Sequence, residues 1–143
     1  MGLIDSDLRV LIIDANAHIR RLIATLLGAL AIKDVAEARN PTAAVPLMLS
    51  KAPDLIIADW TGDPTEILLF VHRIRRGELV DRRTPVLALS NSTHHAVLER
   101  ASEAGIDDVI AKPLSAIDVI QRSASLIEGW RRVDYLAGAS AAE

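Results

Sequence analysis

The chain contains no cysteine, which excludes a disulfide framework, a thiolate nucleophile and a zinc–thiolate site. Aromatic residues make up only 3% of its 143 residues although 50% are hydrophobic, so the core has to be built from Leu, Ile, Val and Ala. Such an aliphatic core suits parallel strands buried on both faces and covered by helices. A basic excess is also missing. The formal net charge is -3 and the pI about 5.8, whereas nucleic-acid binding would call for a net basic face. No apolar run approaches the ~18 residues that cross a bilayer, and the opening MGLIDSDLRV lacks the basic stretch and apolar run of a signal peptide. No Gly-rich phosphate loop follows the first apolar run, which removes the nucleotide-binding readings. The expectation is a cytoplasmic protein whose partners are neither nucleic acid nor membrane.

What is present is a regular alternation. The length suits one domain, expected over residues 1–132, with an Ala-, Gly- and Ser-rich tail over residues 133–143 that frays. Four apolar runs, Val10–Ile13, Leu55–Ala58, Val86–Leu89 and Val109–Ala111, are too short for helices and lack polar alternation, so each reads as a strand buried on both faces. Ile32–Ala36 is a fifth, poorer candidate. Between them run helical patterns. Ile19, Leu22, Ile23, Leu26, Leu27 and Leu30 share one helix face, as do Ile67, Phe70, Val71 and Ile74, and again Ile117, Ile120, Ala124 and Ile127. Asp63-Pro64-Thr65-Glu66 has the form of a capping box. Asn40 and Pro41 make a good helix start, but Pro46 follows, and a proline there has no N–H to offer Thr42. A kink, or a helix beginning only near Pro46, is expected. The order is βαβαβαβαβα, which implies a parallel sheet with right-handed crossovers and helices on both faces.

In open α/β sheets the ligand lies beyond the carboxyl ends of the strands. Strand one exits at Asp14, strand three at Asp59, strand four at Ser90 and strand five at Lys112-Pro113. A lone Asp after a strand is most often a cap or turn residue. Two acids, a hydroxyl and a lysine at four strand ends are far harder to obtain by accident. A carboxylate can attack a phosphoryl group held on a donor nitrogen and give an acyl phosphate, with catalysis mainly by positioning and electrostatic stabilisation. Asp59 is the expected nucleophile, Lys112 its cationic partner and Ser90 a donor to a phosphoryl oxygen. Mg²⁺ would be held by Asp14, Asp59 and the backbone carbonyl of Thr61.

These segments resemble the receiver domains of bacterial two-component response regulators. RVLIIDANAHIRRLI resembles their first strand and helix, PDLIIADW the strand that carries the phosphoacceptor, TPVLALSN the strand ending in Ser or Thr, and AGIDDVIAKPL the strand ending in Lys-Pro. The resemblance runs from about Leu8 to Arg131. It implies a flavodoxin-like (βα)5 three-layer sandwich with strand order 2-1-3-4-5, one of the common orders of doubly wound folds. It also implies transfer from a histidine kinase or phosphotransfer protein, an unidentified downstream protein target, and contacts through helix four, strand five and helix five that admit a homodimer. The protein would be a phosphoacceptor and not a classical enzyme, with self-phosphotransfer and slow self-dephosphorylation at most.

Three positions depart from the family pattern. Receivers usually carry two adjacent acids after strand one, and here the second is Ala15, which implies weak Mg²⁺ binding; Asn16 offers at best an uncharged oxygen. The stretch after the acceptor is Trp60-Thr61-Gly62-Asp63-Pro64, with its proline displaced. The aromatic switch residue, three before the lysine, is Val109. The leading expectation is a response regulator without an output domain. The alternative is a pseudo-receiver, the same fold acting as a protein interaction module without phosphorylation. A phosphatase of the haloacid dehalogenase type ranks lower, because its second Asp two residues after the first is Asn16 here. The remaining polar features read as surface. His94-His95 and His18 are expected in solvent. Arg73, Arg75, Arg76, Arg82 and Arg83, interrupted by Glu78 and Asp81, read as a solvated, partly paired face.

Overall fold

In the computed structural model, residues 7–61 and 64–142 are described, with side chains as far as Arg131. Five strands form one parallel sheet: β1 (Arg9–Ile13), β2 (Asp34–Ala38), β3 (Leu55–Asp59), β4 (Val86–Ser90) and β5 (Asp108–Ala111). Their order across the sheet is β2-β1-β3-β4-β5, as the family resemblance implied. The helices between and after them are α1 (Ala17–Leu27), α2 (Pro41–Ser50), α3 (Thr65–Arg75), α4 (His95–Ala104) and α5 (Ala116–Ala142), with a single 3₁₀ turn at Gly28–Leu30. Helix α5 runs through residues 133–142, the segment expected as a tail. No described helix is long and apolar enough to cross a membrane.

The strand sequences explain why both faces of the sheet are covered. In β1 and β3 successive residues point to opposite faces, and both sets are aliphatic. Leu11, Ile13, Ile56 and Ala58 pack with Ala44 and Met48 of α2, Phe70, Val71 and Ile74 of α3 and Ala101 of α4. Val10, Ile12, Leu55 and Ile57 face the other way, against Ile23 and Leu27 of α1 and Val119 and Ile127 of α5. The only Phe, Phe70, and the buried Trp60 belong to the first cluster, so the second is almost purely aliphatic. Val109 at the switch position belongs to the first cluster too and is buried.

Two sequence expectations change. Strand β2 begins at Asp34 and not at Ile32. Ile32 is buried below the strand, following a turn in which Ala31 adopts a left-handed backbone with φ 61°. Its burial, which made it look like a strand residue, comes from capping the α1–α5 side of the core. Helix α2 starts at Pro41, capped by Asn40 Oδ1 on the Ala43 N–H at 2.8 Å, and runs through Pro46 without a break. The missing hydrogen bond falls between Thr42 and Pro46, both exposed, so water can serve the Thr42 carbonyl while the buried Ala44 and Met48 hold the helix to the sheet. At α3, Pro64 immediately precedes the helix, and Asp63, the expected cap, lies outside the described residues.

Candidate functional site

The four residues that leave β1, β3, β4 and β5 are brought to one edge by the strand register. Leu89 pairs with Asp59, and beyond the ladders the Asp14 N–H donates to the Ala38 carbonyl at 3.0 Å, the Trp60 N–H to the Leu89 carbonyl at 2.7 Å and the Lys112 N–H to the Ser90 carbonyl at 2.8 Å. These bonds continue the sheet one residue past its strands and hold the side chains of Asp14, Asp59 and Lys112 in a fixed relation. The Lys112–Pro113 peptide is cis.

Lys112 is the centre of the arrangement. Its Nζ donates to Asp14 Oδ2 at 3.0 Å and to Asp59 Oδ1 at 3.1 Å. The Asp14 side chain is only 2% exposed, while those of Asp59 and Lys112 are 17% and 18% exposed. Burial alone would push the lysine pKa down, but the hydrogen bonds to Asp14 and Asp59 and the charges of both acids outweigh it, and the pKa lies above the ordinary lysine value. The remaining carboxylate oxygens are also occupied. Asp14 Oδ1 accepts from the Asn16 N–H at 2.8 Å. Asp59 Oδ1 accepts from the Thr61 N–H at 3.0 Å, and Asp59 Oδ2 from the Thr61 hydroxyl at 2.8 Å. Every oxygen of both acids therefore accepts at least one hydrogen bond from the protein.

The other expected site residues fall into place differently. Ser90, 6% exposed, is the last residue of β4 and stands one beyond the partner of Asp59. Its Oγ accepts from the Ser92 N–H at 3.2 Å. With Trp60, Pro64, Ala96, Val97 and Arg100 it lines a neighbouring cavity of about 280 Å³. Asn16 does not offer its side chain to the crevice. Its Oδ1 caps α1, accepting from the His18 and Ile19 N–H groups at 2.8 and 3.3 Å. His18 is exposed, and His95 is exposed beside Glu99 at 2.8 Å. Trp130 is half-buried: its Nε1 donates to Asp54 at 3.1 Å, and the Arg83 guanidinium lies 5.9 Å from its ring centroid.

Two cations at this edge have no counterpart in the sequence reading. Arg20, one helical turn beyond the cap Asn16, donates from Nη1 to the Asp14 carbonyl at 2.7 Å and from Nε to Glu37 at 2.9 Å. It ties the end of β1 to β2. Arg39 leaves β2 directly and lines a crevice of about 120 Å³ together with Asp14, Ala15, Asp59, Thr61 and Glu66. The signal for Arg39 was its position at a strand end, the same signal that picked out the other four; the uncertain bounds of β2 hid it.

The donors present suit a divalent cation, though sparsely. Mg²⁺ is commonly held by one or two carboxylates, with waters and phosphate oxygens completing its octahedron, and Asp14 and Asp59 meet that minimum. Among the described residues no three of His, Cys, Asp and Glu gather into a metal-holding group; Ala15, beside Asp14, brings no carboxylate.

Residues 10–124 match the response regulator receiver domain family. A protein-glutamate methylesterase/protein-glutamine glutaminase of Anaeromyxobacter dehalogenans is 36% identical over 124 residues, covering 85% of this chain and 34% of that protein. The phosphate regulon transcriptional regulatory protein PhoB of Pseudomonas aeruginosa is 33% identical over 114 residues, 79% of this chain and 48% of its own. The chain thus spans about a third of the first relative and about half of the second. Among solved structures, the chemotaxis protein CheY4 of Vibrio cholerae matches with a TM-score of 0.70 at 20% identity, over 84% of this chain and 98% of that one, a likeness of fold. Four strand ends carrying two acids, a serine and a lysine, a parallel sheet in the order 2-1-3-4-5 and a family match over most of its length all say the same thing: this chain belongs to the response regulator receiver domain family and has its flavodoxin-like fold.

Proposed function

We propose that this receiver domain accepts a phosphoryl group on Asp59 and signals by protein–protein contact. The observation that carries the reading is the Lys112 ammonium, bonded at once to Asp59 and to the buried Asp14. A carboxylate paired with a fixed cation at a strand end, open to a crevice, can meet an incoming phosphoryl group without reorganising the charge around it. Asp59 forms the bond to phosphorus. The Thr61 hydroxyl, which donates to Asp59 Oδ2, rotates away to free that oxygen. Lys112 moves its hydrogen bonds to the phosphoryl oxygens, and Ser90 turns its hydroxyl from Ser92 to the same group. Mg²⁺, held by Asp14, Asp59 and the Thr61 carbonyl, supplies charge neutralisation when bound. The phosphoryl source is a histidine kinase or a phosphotransfer protein, and the recipient of the signal is a protein docking on α4, β5 and α5, a face that also admits a homodimer. A cytoplasmic location fits these partners.

Incubation with phosphoramidate and Mg²⁺ is expected to add one phosphoryl group by intact mass, and Asp59→Asn is expected to remove the addition entirely. A second reading has its own observation. All four oxygens of Asp14 and Asp59 are satisfied within the protein, as a module that is never phosphorylated would also have them. If neither wild type nor Ala15→Asp is ever modified at Asp59, that pseudo-receiver reading replaces the first.

Ala15→Asp separates the two further. Restoring a third carboxylate raises the negative charge available to a hard cation, so Mg²⁺ is expected to bind about tenfold more tightly, a gain of about 1.4 kcal/mol. Phosphorylation of Asp59 should accelerate in parallel, while the metal-free protein loses stability through carboxylate repulsion. Trp60 follows the acceptor directly and is buried, so its fluorescence can follow the titration. Equal Mg²⁺ affinity in the two proteins would mean that the missing acid is unimportant.

A further inference from the structure

The crevice beside Asp59 is lined by three acids, Asp14, Asp59 and Glu66, and by one arginine, Arg39. Arg39 is exposed, and makes no hydrogen bond or ion pair among the described residues. Glu66, also exposed, is likewise unpaired among the described residues, whereas the inner wall is spoken for. The Asp14 and Asp59 oxygens are bonded as described above, Asn40 caps α2, and Lys112 bridges the two acids. The backbone at Arg39 is fixed on both sides. Ala38, just before it, accepts the Asp14 N–H at 3.0 Å, and Asn40, just after it, starts a helix. Arg39 therefore leaves the sheet next to Asp14, on the side of the crevice where Ala15 also lies, which is where a second acid is missing.

An alanine at position 15 beside an arginine has a charge consequence. A carboxylate at position 15 would engage a guanidinium at the crevice mouth or require a metal to balance it. With alanine there, the guanidinium is left to face whatever enters. A guanidinium is always charged and presents donors in a planar fork that matches phosphate oxygens in bidentate fashion. Lys112 already serves the inner side of Asp59, so a phosphodonor entering the crevice would meet cations from two directions.

We propose that Arg39 binds the phosphodonor: its guanidinium takes the oxygens of the phosphoryl group at the crevice mouth and supplies part of the charge neutralisation that a fuller acid cluster leaves to a divalent cation. The proposal rests on Asp59 being the acceptor. With phosphoramidate the step is an in-line displacement. An Asp59 oxygen forms the bond to phosphorus, the P–N bond breaks, and its electron pair leaves with the nitrogen, which already carries its proton and departs as ammonia. Arg39 and Lys112 hold the three phosphoryl oxygens throughout, and neither gives up a proton.

Two measurements test it, and they fail separately. The first follows Asp59 phosphorylation by phosphoramidate with a chelator present and again with Mg²⁺. Arg39→Gln is expected to slow the metal-free reaction about tenfold and to slow the reaction in Mg²⁺ by a smaller factor, with Arg39→Lys between the two. The second measures phosphoramidate binding through Trp fluorescence in an Asp59→Asn background, which cannot be phosphorylated. Arg39→Gln is expected to weaken that binding about tenfold. If the receiver reading itself is wrong, the first measurement shows no product in any variant and the second still reports on Arg39. Binding that is absent in Asp59→Asn, or equal with and without Arg39, overturns the proposal, as does a metal-free rate that Arg39→Gln leaves unchanged.

Discussion

Replacing Lys112 with methionine is expected to lower the unfolding free energy by about 3 kcal/mol at neutral pH and to abolish detectable phosphorylation of Asp59. Methionine keeps most of the side-chain volume, so the loss is electrostatic. Two carboxylates would face each other without the ammonium that now bonds both, and Asp14 is almost wholly buried. Breaking a buried pair from one side typically costs about 3–5 kcal/mol; the lower end applies because the crevice admits water to Asp59. Urea unfolding of Lys112→Met and of Lys112→Met combined with Asp14→Asn checks the cause. The double variant should recover most of the loss, since the second change removes the stranded charge. If it recovers nothing, Lys112 acts through packing instead.

The pH dependence follows from the raised lysine pKa. A group whose pKa is higher in the folded than in the unfolded protein contributes stability that is complete below its unfolded value and is lost as pH rises through the folded one. For Lys112 the ordinary value is 10.5 and the folded value lies above it. The stability difference between wild type and Lys112→Met should therefore stay flat from neutral pH to about pH 10 and narrow only beyond it. A difference that shrinks between pH 7 and 9 would mean the ammonium is not held by the acids in solution.

Arg75→Ala should be as damaging, far from the site. The Arg75 guanidinium donates to the carbonyls of Gly105 at 2.9 Å and of Arg82 and Thr84 at 2.7 Å each, and to Asp107 Oδ2 at 2.8 Å. The same Asp107 oxygen accepts the Val86 N–H at 2.7 Å, so one side chain ties the end of α3 to the starts of β4 and β5. Hydrogen bonds to charged groups contribute about 1.5–3 kcal/mol each and do not add fully, and water can reach some of the freed carbonyls, so a net loss of about 3 kcal/mol is expected in urea unfolding. Arg75→Lys should recover less than half, because an ammonium cannot span four acceptors in a plane. The control is the next residue. Arg76 is 63% exposed and among the described residues pairs only with Glu78 at 3.4 Å, so Arg76→Ala should change stability by less than about 0.5 kcal/mol. Equal effects at the two positions would return Arg75 to the solvated face that the sequence suggested.

Much of the fold is legible in the sequence. The strands β1, β3, β4 and β5 are short aliphatic runs bounded by polar residues, and no other element fits a run of that length buried on both faces. Asn40 caps α2 as its sequence signalled. Asp14, Asp59, Ser90 and Lys112 could be named from the rule that ligands gather at the carboxyl ends of parallel strands, which needs only strand bounds. Where a bound is indistinct the rule fails: β2 is an edge strand with an exposed Glu37 next to its last residue, so neither its end nor Arg39 beyond it stands out in the sequence.

Other features belong to three dimensions alone. Periodicity reports which face of an element is apolar, but it does not report which distant polar group a long side chain reaches. Arg73, Arg75, Arg76, Arg82 and Arg83 look alike in sequence; Arg73, Arg76 and Arg83 pair with nearby acids, as expected of a solvated face, while Arg75 points inward because the turn before β4 and the loop before β5 present it with carbonyls 7 to 30 positions away. Asn16 reads in sequence as an uncharged oxygen near the metal site, and the local backbone makes it the cap of α1 instead. Pro46 was a reason to break α2, yet the helix continues, because burial of Ala44 and Met48 against the sheet outweighs one hydrogen bond that water can replace. The sequence determined the strands, their hydrophobic faces and the reactive residues at their ends, since those depend on local pattern. Which of the charged residues meet, and which face outward, was decided by the tertiary structure, since charge pairing depends on distances between segments that no local pattern records.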